Sequence, residues 1–494
     1  MESFDPAQQR KLTIATIASV SIVILTMSYV YWDVQQDDSY IFYSYAQNIV
    51  NGHGYVFNPG ERVNATTSPL YTLLLSGGYL LSRFLPFVTI PLIGHIISAI
   101  SLFTLCCFLM GSFSSEKDSV YPFVLPLVLL TIPLLPAAIG METFLALMLA
   151  MVCIYFYVQG RLLAASLVCS CAVLARPDMV LLAGIMVSYD FIRYRRFPTI
   201  KMIIAFLLPI LIWLTFSLIY FGDPLPTSLA AKLAQTEAGL WGKGPVFFNE
   251  LWNFFLWFGM TVPRTILVVF LVLGLIILLL KIKQWSILRH PAFHLILLWN
   301  LLYLFVYGVI LNAPGYGWYY TPLAMGISLL VTLPLEGLYR LFAKTPMLRN
   351  RLLIPFVYCF LILVCLGIPW ILPVAPVKVK YETYKLAAEW LNENAQPGSS
   401  VGAGDIGVLR FYYQHGPIID AAGLVNPEVI EHLRNKDIGW FIQHHQPDYL
   451  MFNHPPRQFI ADTVAEGWFR QEYFVDEILI TPSDRVAIYR RIMP

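Results

Sequence analysis

Two adjacent carboxylates, Asp37 and Asp38, open the segment Asp37-Asp38-Ser39-Tyr40-Ile41, just after the first apolar run of the chain. Neighbouring acids at a membrane surface repel, and burial raises the pKa of at least one of them, which suits a general base or a metal ligand. The same pair suits the start of a helix over Ser39 to Val50, where Asp is favoured by the unpaired amides and the helix dipole. On the residues alone, a helix cap is the simpler reading. Further along, Gly52-His53-Gly54, Val56-Phe57-Asn58-Pro59-Gly60-Glu61-Arg62 and Thr66-Thr67-Ser68-Pro69 form a dense loop. His53 between two glycines has the type of a ligand or proton shuttle, although a loop histidine is more often a hydrogen-bonding surface residue. Glu61, Glu142, Asp178 and Asp223 are acids that could accept hydrogen bonds from a polar ligand. Arg62, Arg176, Lys232 and Arg264 are cations of the kind that pair with oxyanions, an Arg such as Arg176 bidentately. Each of these charges also fits the plainer role of ending an apolar helix.

Other groups carry weaker signals. Tyr316, Trp318, Tyr319 and Tyr320 could stack on the apolar face of a ligand, but an interfacial aromatic cluster needs no function. Asn64-Ala65-Thr66 is a sequon. Asp405 and Asp420 follow short strands, where α/β domains place binding loops, with turn formation as the alternative. His415, His444 and His445 lack a metal-binding spacing. The seven cysteines (Cys106, Cys107, Cys153, Cys169, Cys171, Cys359, Cys365) all fall in apolar stretches and read as small buried packers.

The elements that must position these groups are apolar helices. Of 494 residues 58% are hydrophobic and only 13% charged, and the mean hydropathy is +0.66; soluble domains carry roughly 25% charged residues. A formal net charge of +2 provides no basic surplus for nucleic acid. A bilayer core needs about 20 apolar residues in a helix. Residues 13–31 meet that, and the Trp32-Asp33 exit marks an uncleaved anchor and not a signal peptide. Further spans are expected near 88–110, 119–138, 142–158, 162–175, 178–192, 199–221, 265–282, 292–312, 319–339 and 352–373, about eleven in all. Residues 70–87 are also apolar but short, with Ser76-Gly77-Gly78 and Arg83, and are expected to lie along the outer interface. With the N-terminus cytoplasmic, this places every strongly basic loop on the cytoplasmic side, among them Arg193-Arg195-Arg196-Lys201 and Lys281-Lys283-Arg289. The candidate chemical residues then converge on the opposite, extracytoplasmic face.

Residues 1–375 are therefore expected to form the transmembrane domain, with a first outer loop at 32–87, and residues 376–494 a soluble extracytoplasmic α/β domain. In the latter, Glu382 to Asn394 reads as an amphipathic helix. Ser400 to Ala403, Ile418-Ile419, Tyr449 to Met451, Ile478 to Ile480 and Val486 to Tyr489 read as strands.

Asp37, Asp38, Asn48, Gly52, Gly54, Val56 to Val63 and Thr67-Ser68-Pro69 follow one another in an order that resembles the first outer loop of GT-C glycosyltransferases. The loop is most similar to that of the group containing mycobacterial cell-wall arabinofuranosyltransferases. Gly140-Met141-Glu142-Thr143, Arg176-Pro177-Asp178, Gly222-Asp223-Pro224-Leu225-Pro226-Thr227, Lys232 and Gly423-Leu424-Val425-Asn426-Pro427 resemble later motifs of the same group. The resemblance implies a GT-C type polytopic fold and an enzyme of a bacterial inner membrane. It implies a polyprenyl-phosphate sugar as donor, a glycan, lipid or protein as acceptor, and Asp37 as base in an inverting single displacement. It also leaves room for a divalent cation, Mg²⁺ or Mn²⁺, with Asp38, Glu142 or Asp178 as ligands; GT-C enzymes differ in that need. One departure stands out: the group often carries Arg in the helix after the Asp pair, where this chain has Ser44 and Gln47. The competing functions are a flippase or exporter of a lipid-linked saccharide, and a non-catalytic membrane scaffold. No internal repeat of the kind transporters show is visible.

Overall fold

Where an apolar run is free of interruption, the chain forms one long helix, and where prolines cluster it breaks. A computed structural model of the chain describes residues 4–32, 35–116, 118–240, 244–257, 261–342, 355, 357–359, 361–363, 375–482 and 484–492. Among the described residues five helices are long and apolar enough to cross a bilayer: Pro6–Val30, Ile90–Ser112, Ile200–Phe221, Pro291–Ile310 and Leu323–Leu341. Four apolar helices are shorter: Tyr121–Leu130, Thr143–Val158, Leu162–Ala175 and Thr265–Lys281. The helix Ile200–Phe221 buries only Ser217 and leaves the rest of its apolar surface at least partly uncovered. Such a helix is at home in lipid, and the chain is a multi-pass membrane protein.

The segment expected to span as 119–138 differs in detail. Its helix Tyr121–Leu130 stops after ten residues, and a 3₁₀ turn follows at Pro136–Ala138. Pro133 and Pro136 withhold amides and push the residues before them out of helical conformation. Near 292–312, the helix Pro291–Phe305 relaxes into a π turn, Val306–Ile310. Residues 70–87 form the helix Pro69–Tyr79 and the 3₁₀ turn Leu80–Arg83. Eleven residues rise about 16 Å, roughly half the hydrocarbon core. That helix buries Tyr71, Thr72, Leu75 and Ser76 and exposes Leu73 and Leu74. The span expected near 352–373 lies largely outside the described residues.

The chain packs as two units. The first draws on Met1–Trp32, His95–Ile210 and Pro245–Pro373. In it, Thr143–Val158 and Leu162–Ala175 form a helical hairpin, and Leu323–Leu341 packs against Tyr121–Leu130, Thr261–Lys281 and Pro291–Phe305. A buried acid pins one of these contacts. Glu336 accepts hydrogen bonds from Ser119 Oγ (2.9 Å) and from the amides of Val120 and Tyr121 (both 3.1 Å), so it caps the broken helix from its neighbour. Arg340, one turn along, donates to it at 2.7 Å.

The second unit draws on Asp33–Gly94, Leu211–Gly244 and Val374–Pro494. Its sheet has the order β2-β1-β3-β5-β4, with β1 Val401–Ala403, β2 Ile418–Asp420, β3 Tyr449–Asn453, β4 Tyr473–Ile480 and β5 Arg485–Arg491. β1 runs parallel to β2 and β3, in register Val401 with Ile418 and Tyr449; β5 runs antiparallel to β3 and β4. All five expected strands are present. Leu450, Ala487, Phe441, Ile442, Leu433 and Phe469 close the core beneath them. The expected helix from Glu382 begins earlier, as Ala375–Asn394.

Candidate active site

Asp37 and Asp38 form the first turn of the helix Asp37–Val50, which therefore starts two residues before the expected Ser39. Acids in that turn are favoured by the dipole. Neither is the N-cap residue, which is Gln36. The Asp37 side chain points instead to a different helix, the short Gly407–Tyr412 that follows β1. Its Oδ2 accepts from the Gly407 amide at 3.0 Å and its Oδ1 from the Val408 amide at 2.8 Å. Burial first, and then the nearby Asp405 carboxylate, push the Asp37 carboxyl up to about 7, against the two amides that favour its charged form; Asp38 adds a smaller upward push. Asp38 faces Lys232 on the helix Thr227–Glu237, with Nζ 3.6 Å from Oδ2 and both side chains about a quarter exposed. The pair thus presents one carboxyl that changes charge near neutrality beside one held against an ammonium.

The loop that follows is a scaffold for this helix. Asn48, buried, donates from its amide to the carbonyls of Val56 (2.9 Å) and Phe57 (2.8 Å) and so folds the glycine-flanked stretch back on the helix. Gly52 and Gly54 have φ of +84° and +90°, which a side chain would strain, and a Cβ on Gly54 would meet the Tyr220 hydroxyl at 2.5 Å. Asn58 pairs with both backbone groups of Ile418, accepting from its amide at 3.1 Å and donating to its carbonyl at 2.8 Å. It acts as an extra strand residue on the open edge of β2. Arg410 donates to the Phe57 carbonyl at 3.3 Å from the other side. Ser44, where the resembled group often has Arg, is buried and bonds back to the Tyr40 carbonyl at 2.9 Å, so an Arg there would be enclosed. Gln47 is half-buried.

The remaining candidates in this unit separate clearly. Glu61 is exposed and accepts from Asn58 at 2.9 Å; Arg62 is exposed and lies 4.7 Å from the Tyr220 ring centre. His53 is exposed. Asp223 is exposed and accepts the Leu225 amide at 2.8 Å, a local turn. Asp405 accepts from the Tyr384 hydroxyl at 2.5 Å and from Arg457 at 3.3 Å. Asp420 is fully buried and caged by the amides of Ala422 (2.7 Å), Leu424 and Val425 (3.2 Å). The stretch from Ala422 to Val425 thus forms a turn closed on the Asp420 carboxylate. The sequon residue Asn64 is buried, bonded to Ser217 and Thr66, and closed to a glycan. His444 stacks on Trp440 at 4.3 Å, His445 lies 3.1 Å from Glu428, and His415 lies 3.0 Å from the Ala395 carbonyl.

In the first unit a second cluster centres on Arg176. Pro177 forces Arg176 into extended conformation (φ −152°, ψ 123°), which ends the helix Leu162–Ala175. Its guanidinium, 4% exposed, donates to Glu142 Oε1 (3.2 Å), Thr143 Oγ1 (3.0 Å) and Asp178 Oδ2 (2.6 Å). Tyr307, from the π turn, also donates to Asp178 at 2.8 Å, and the Tyr319 ring lies 5.9 Å from the guanidinium. The five donors of an Arg fork are thus largely taken by its own chain. A phosphate would have to displace Glu142 or Asp178 to be gripped there. Arg264 lies on Thr261–Lys281, its side chain outside the described residues. Among the described residues no group of three or more His, Cys, Asp or Glu side chains is placed to hold a metal ion.

Several solved structures share this architecture. The chain is similar to ArnT from Cupriavidus metallidurans bound to undecaprenyl phosphate, with a TM-score of 0.61 at 12% identity over 96% of this chain and 97% of that one. The apo form of ArnT gives 0.62 at the same coverage. The oligosaccharyltransferase from Archaeoglobus fulgidus, in its apo form, gives 0.54 at 10% identity over 95% of this chain and 74% of that one. Residues 377–489 match a family described as a domain of unknown function, DUF8728. A search of curated proteins finds no sequence match. At these identities the property shared with ArnT and the oligosaccharyltransferase is the fold.

Proposed function

We propose that this chain moves a sugar from a polyprenyl-phosphate donor to an acceptor hydroxyl by a single inverting displacement, on the extracytoplasmic face of a bacterial inner membrane. The observation that carries this reading is the Asp37–Asp38 pair at the head of its helix, with one carboxyl titrating near neutrality and a lysine beside the other, in a chain of GT-C fold. ArnT binds undecaprenyl phosphate, and a donor of the same polyprenyl-phosphate class is assigned to this chain, its tail among the apolar helices.

The acceptor hydroxyl docks from the aqueous side. As its oxygen attacks the anomeric carbon, Asp37 takes the hydroxyl proton, and the bond from that carbon to the phosphate oxygen breaks with the electron pair leaving on the polyprenyl phosphate. Each Asp37 oxygen accepts one amide hydrogen and keeps a lone pair free to take the proton. Lys232 suits the departing charge better than Arg176, because its ammonium is partly exposed, its ion pair with Asp38 is long at 3.6 Å, and its arm is flexible. The motif over residues 37–70 supports the arabinofuranosyltransferase group as the nearest functional relatives, and the acceptor is a glycan, lipid or protein. The soluble domain from about residue 376 stands on the same face.

The test is transfer from a panel of labelled polyprenyl-phosphate sugars by membranes holding the wild type or Asp37→Asn. Transfer by the wild type and its loss in a mutant that inserts normally are expected. Turnover retained in Asp37→Asn removes the base assignment; no transfer with any donor removes the enzymatic reading.

A further inference from the structure

We infer that the C-terminal domain holds the catalytic carboxylate in place: the turn Asp405–Val408 is a positioning element for Asp37, with Gly407 as its positioning residue. This rests on the reading of Asp37 as the base. Both oxygens of Asp37 are bound by consecutive amides of that turn, at 3.0 and 2.8 Å, although the partners lie 370 and 371 residues away in the chain. The approach is so close that only glycine fits. A Cβ on Gly407 would lie 1.9 Å from the Asp37 carbonyl oxygen, 2.9 Å from its carbon and 3.2 Å from Oδ2. Because the first of these contacts is to backbone, no rotamer change relieves it.

The turn is rigid from behind. Ile406, Val408 and Leu409 are buried in the domain core. Asp405 is tied to the helix Ala375–Asn394 through the Tyr384 hydroxyl at 2.5 Å, and to the segment after β3 through Arg457 at 3.3 Å. The place of the turn in the sheet gives these bonds a meaning. β1 lies between β2 and β3, so the chain leaves β1 to one side and returns to β3 on the other. In open α/β sheets the crevice beyond the carboxyl ends of strands at such a reversal receives the ligand. Here the group received beyond β1 is the chain's own Asp37. The domain thus binds the base of the reaction as other α/β domains bind a ligand, and fixes both its oxygens. A carboxylate free to rotate would lose the alignment on which proton removal during displacement depends.

The experiment uses the purified full chain, with the polyprenyl-phosphate sugar that the wild type turns over, and compares Gly407→Ala and Asp405→Asn. Gly407→Ala displaces the backbone of Asp37 and is expected to lower kcat roughly 100-fold with KM for the donor changed by less than about twofold. Asp405→Asn keeps the shape of the side chain and an acceptor for Tyr384 but loses the charge facing Arg457, and is expected to lower kcat about tenfold. A merely structural role would lower the melting temperature without this split between kcat and KM. Unchanged kcat in a folded Gly407→Ala overturns the inference, as does a loss confined to KM for the acceptor, which would make the turn an acceptor contact. Should Gly407→Ala fail to fold, unchanged kcat in Asp405→Asn overturns it equally. An inactive Asp37→Asn beside a fully active Gly407→Ala removes this inference and leaves the transferase reading standing. No transfer by the wild type removes both.

Discussion

At the scale of the residue, the Asp pair answers to both descriptions its sequence invites. It does stabilise the start of its own helix as two acids in the first turn. Yet the capping hydrogen bonds of Asp37 go to Gly407–Tyr412, and no local pattern could reveal a partner 370 residues away. The carboxyl raised to about 7 has two consequences of opposite sign. Between about pH 4, where a free Asp ionises, and pH 7, the folded chain keeps a proton that the unfolded chain has lost. This group's contribution to stability is therefore greatest below about pH 4 and declines as pH rises through 7. Activity runs the other way, because only the ionised form accepts a proton. We expect kcat to climb with pH to a plateau above about 7, while the melting temperature of the wild type falls relative to Asp37→Asn over the same interval. A flat kcat profile from about pH 5 to 8 would take the base role away from Asp37.

At the scale of the element, the motif carried by residues 37–70 turns out to be largely architectural. Asn48 and the glycines at 52 and 54 shape the loop, and Asn58 fastens it to the free edge of β2. Asn58→Ala is expected to leave the Ile418 amide and carbonyl without their partner and to cost about 2 kcal/mol. The chain should melt earlier, and a protease should cut the stretch around Pro59-Gly60 sooner than in the wild type. An unchanged melting curve would mean that water replaces the Asn58 side chain at no cost. The five strands were readable because short β-branched runs between polar turns have few other uses, as in Ile418-Ile419 and Val486 to Tyr489. The roles of Asn58, Gly407, Tyr384 and Tyr307 were not readable, since each depends on a partner brought in by tertiary packing. Arg176 shows the same limit from the other side. Its type suited a phosphate, but its buried carboxylate neighbours occupy the fork.

At the scale of the whole molecule, the sequence made the membrane character plain and left the number of crossings to helix length. The helix Tyr121–Leu130 rises about 15 Å, half of what a bilayer core requires. The eleven-span arrangement needs this stretch, continued through Pro133 to the turn Pro136–Ala138, to reach the other side. If it turned back, every later loop would change sides. The basic loop Arg193-Arg195-Arg196 would then lie outside, against the bias that places Lys and Arg in the cytoplasm. The charge distribution favours a crossing, and Glu336 satisfies the amides at the start of the short helix from within the bundle. Alkaline phosphatase, active only outside the cytoplasm, fused after Glu116, after Glu142 and after Pro494 reads the outcome directly. We expect the first fusion to be inactive and the other two active. Equal activity at Glu116 and Glu142 would mean that the proline-broken segment is re-entrant. In that case nine crossings would separate Asp37 from the C-terminal domain, an odd number that the hydrogen bonds from Gly407 and Val408 to Asp37 forbid, so a second segment must fail to cross or cross unforeseen, and the third fusion reports the side on which the domain then lies.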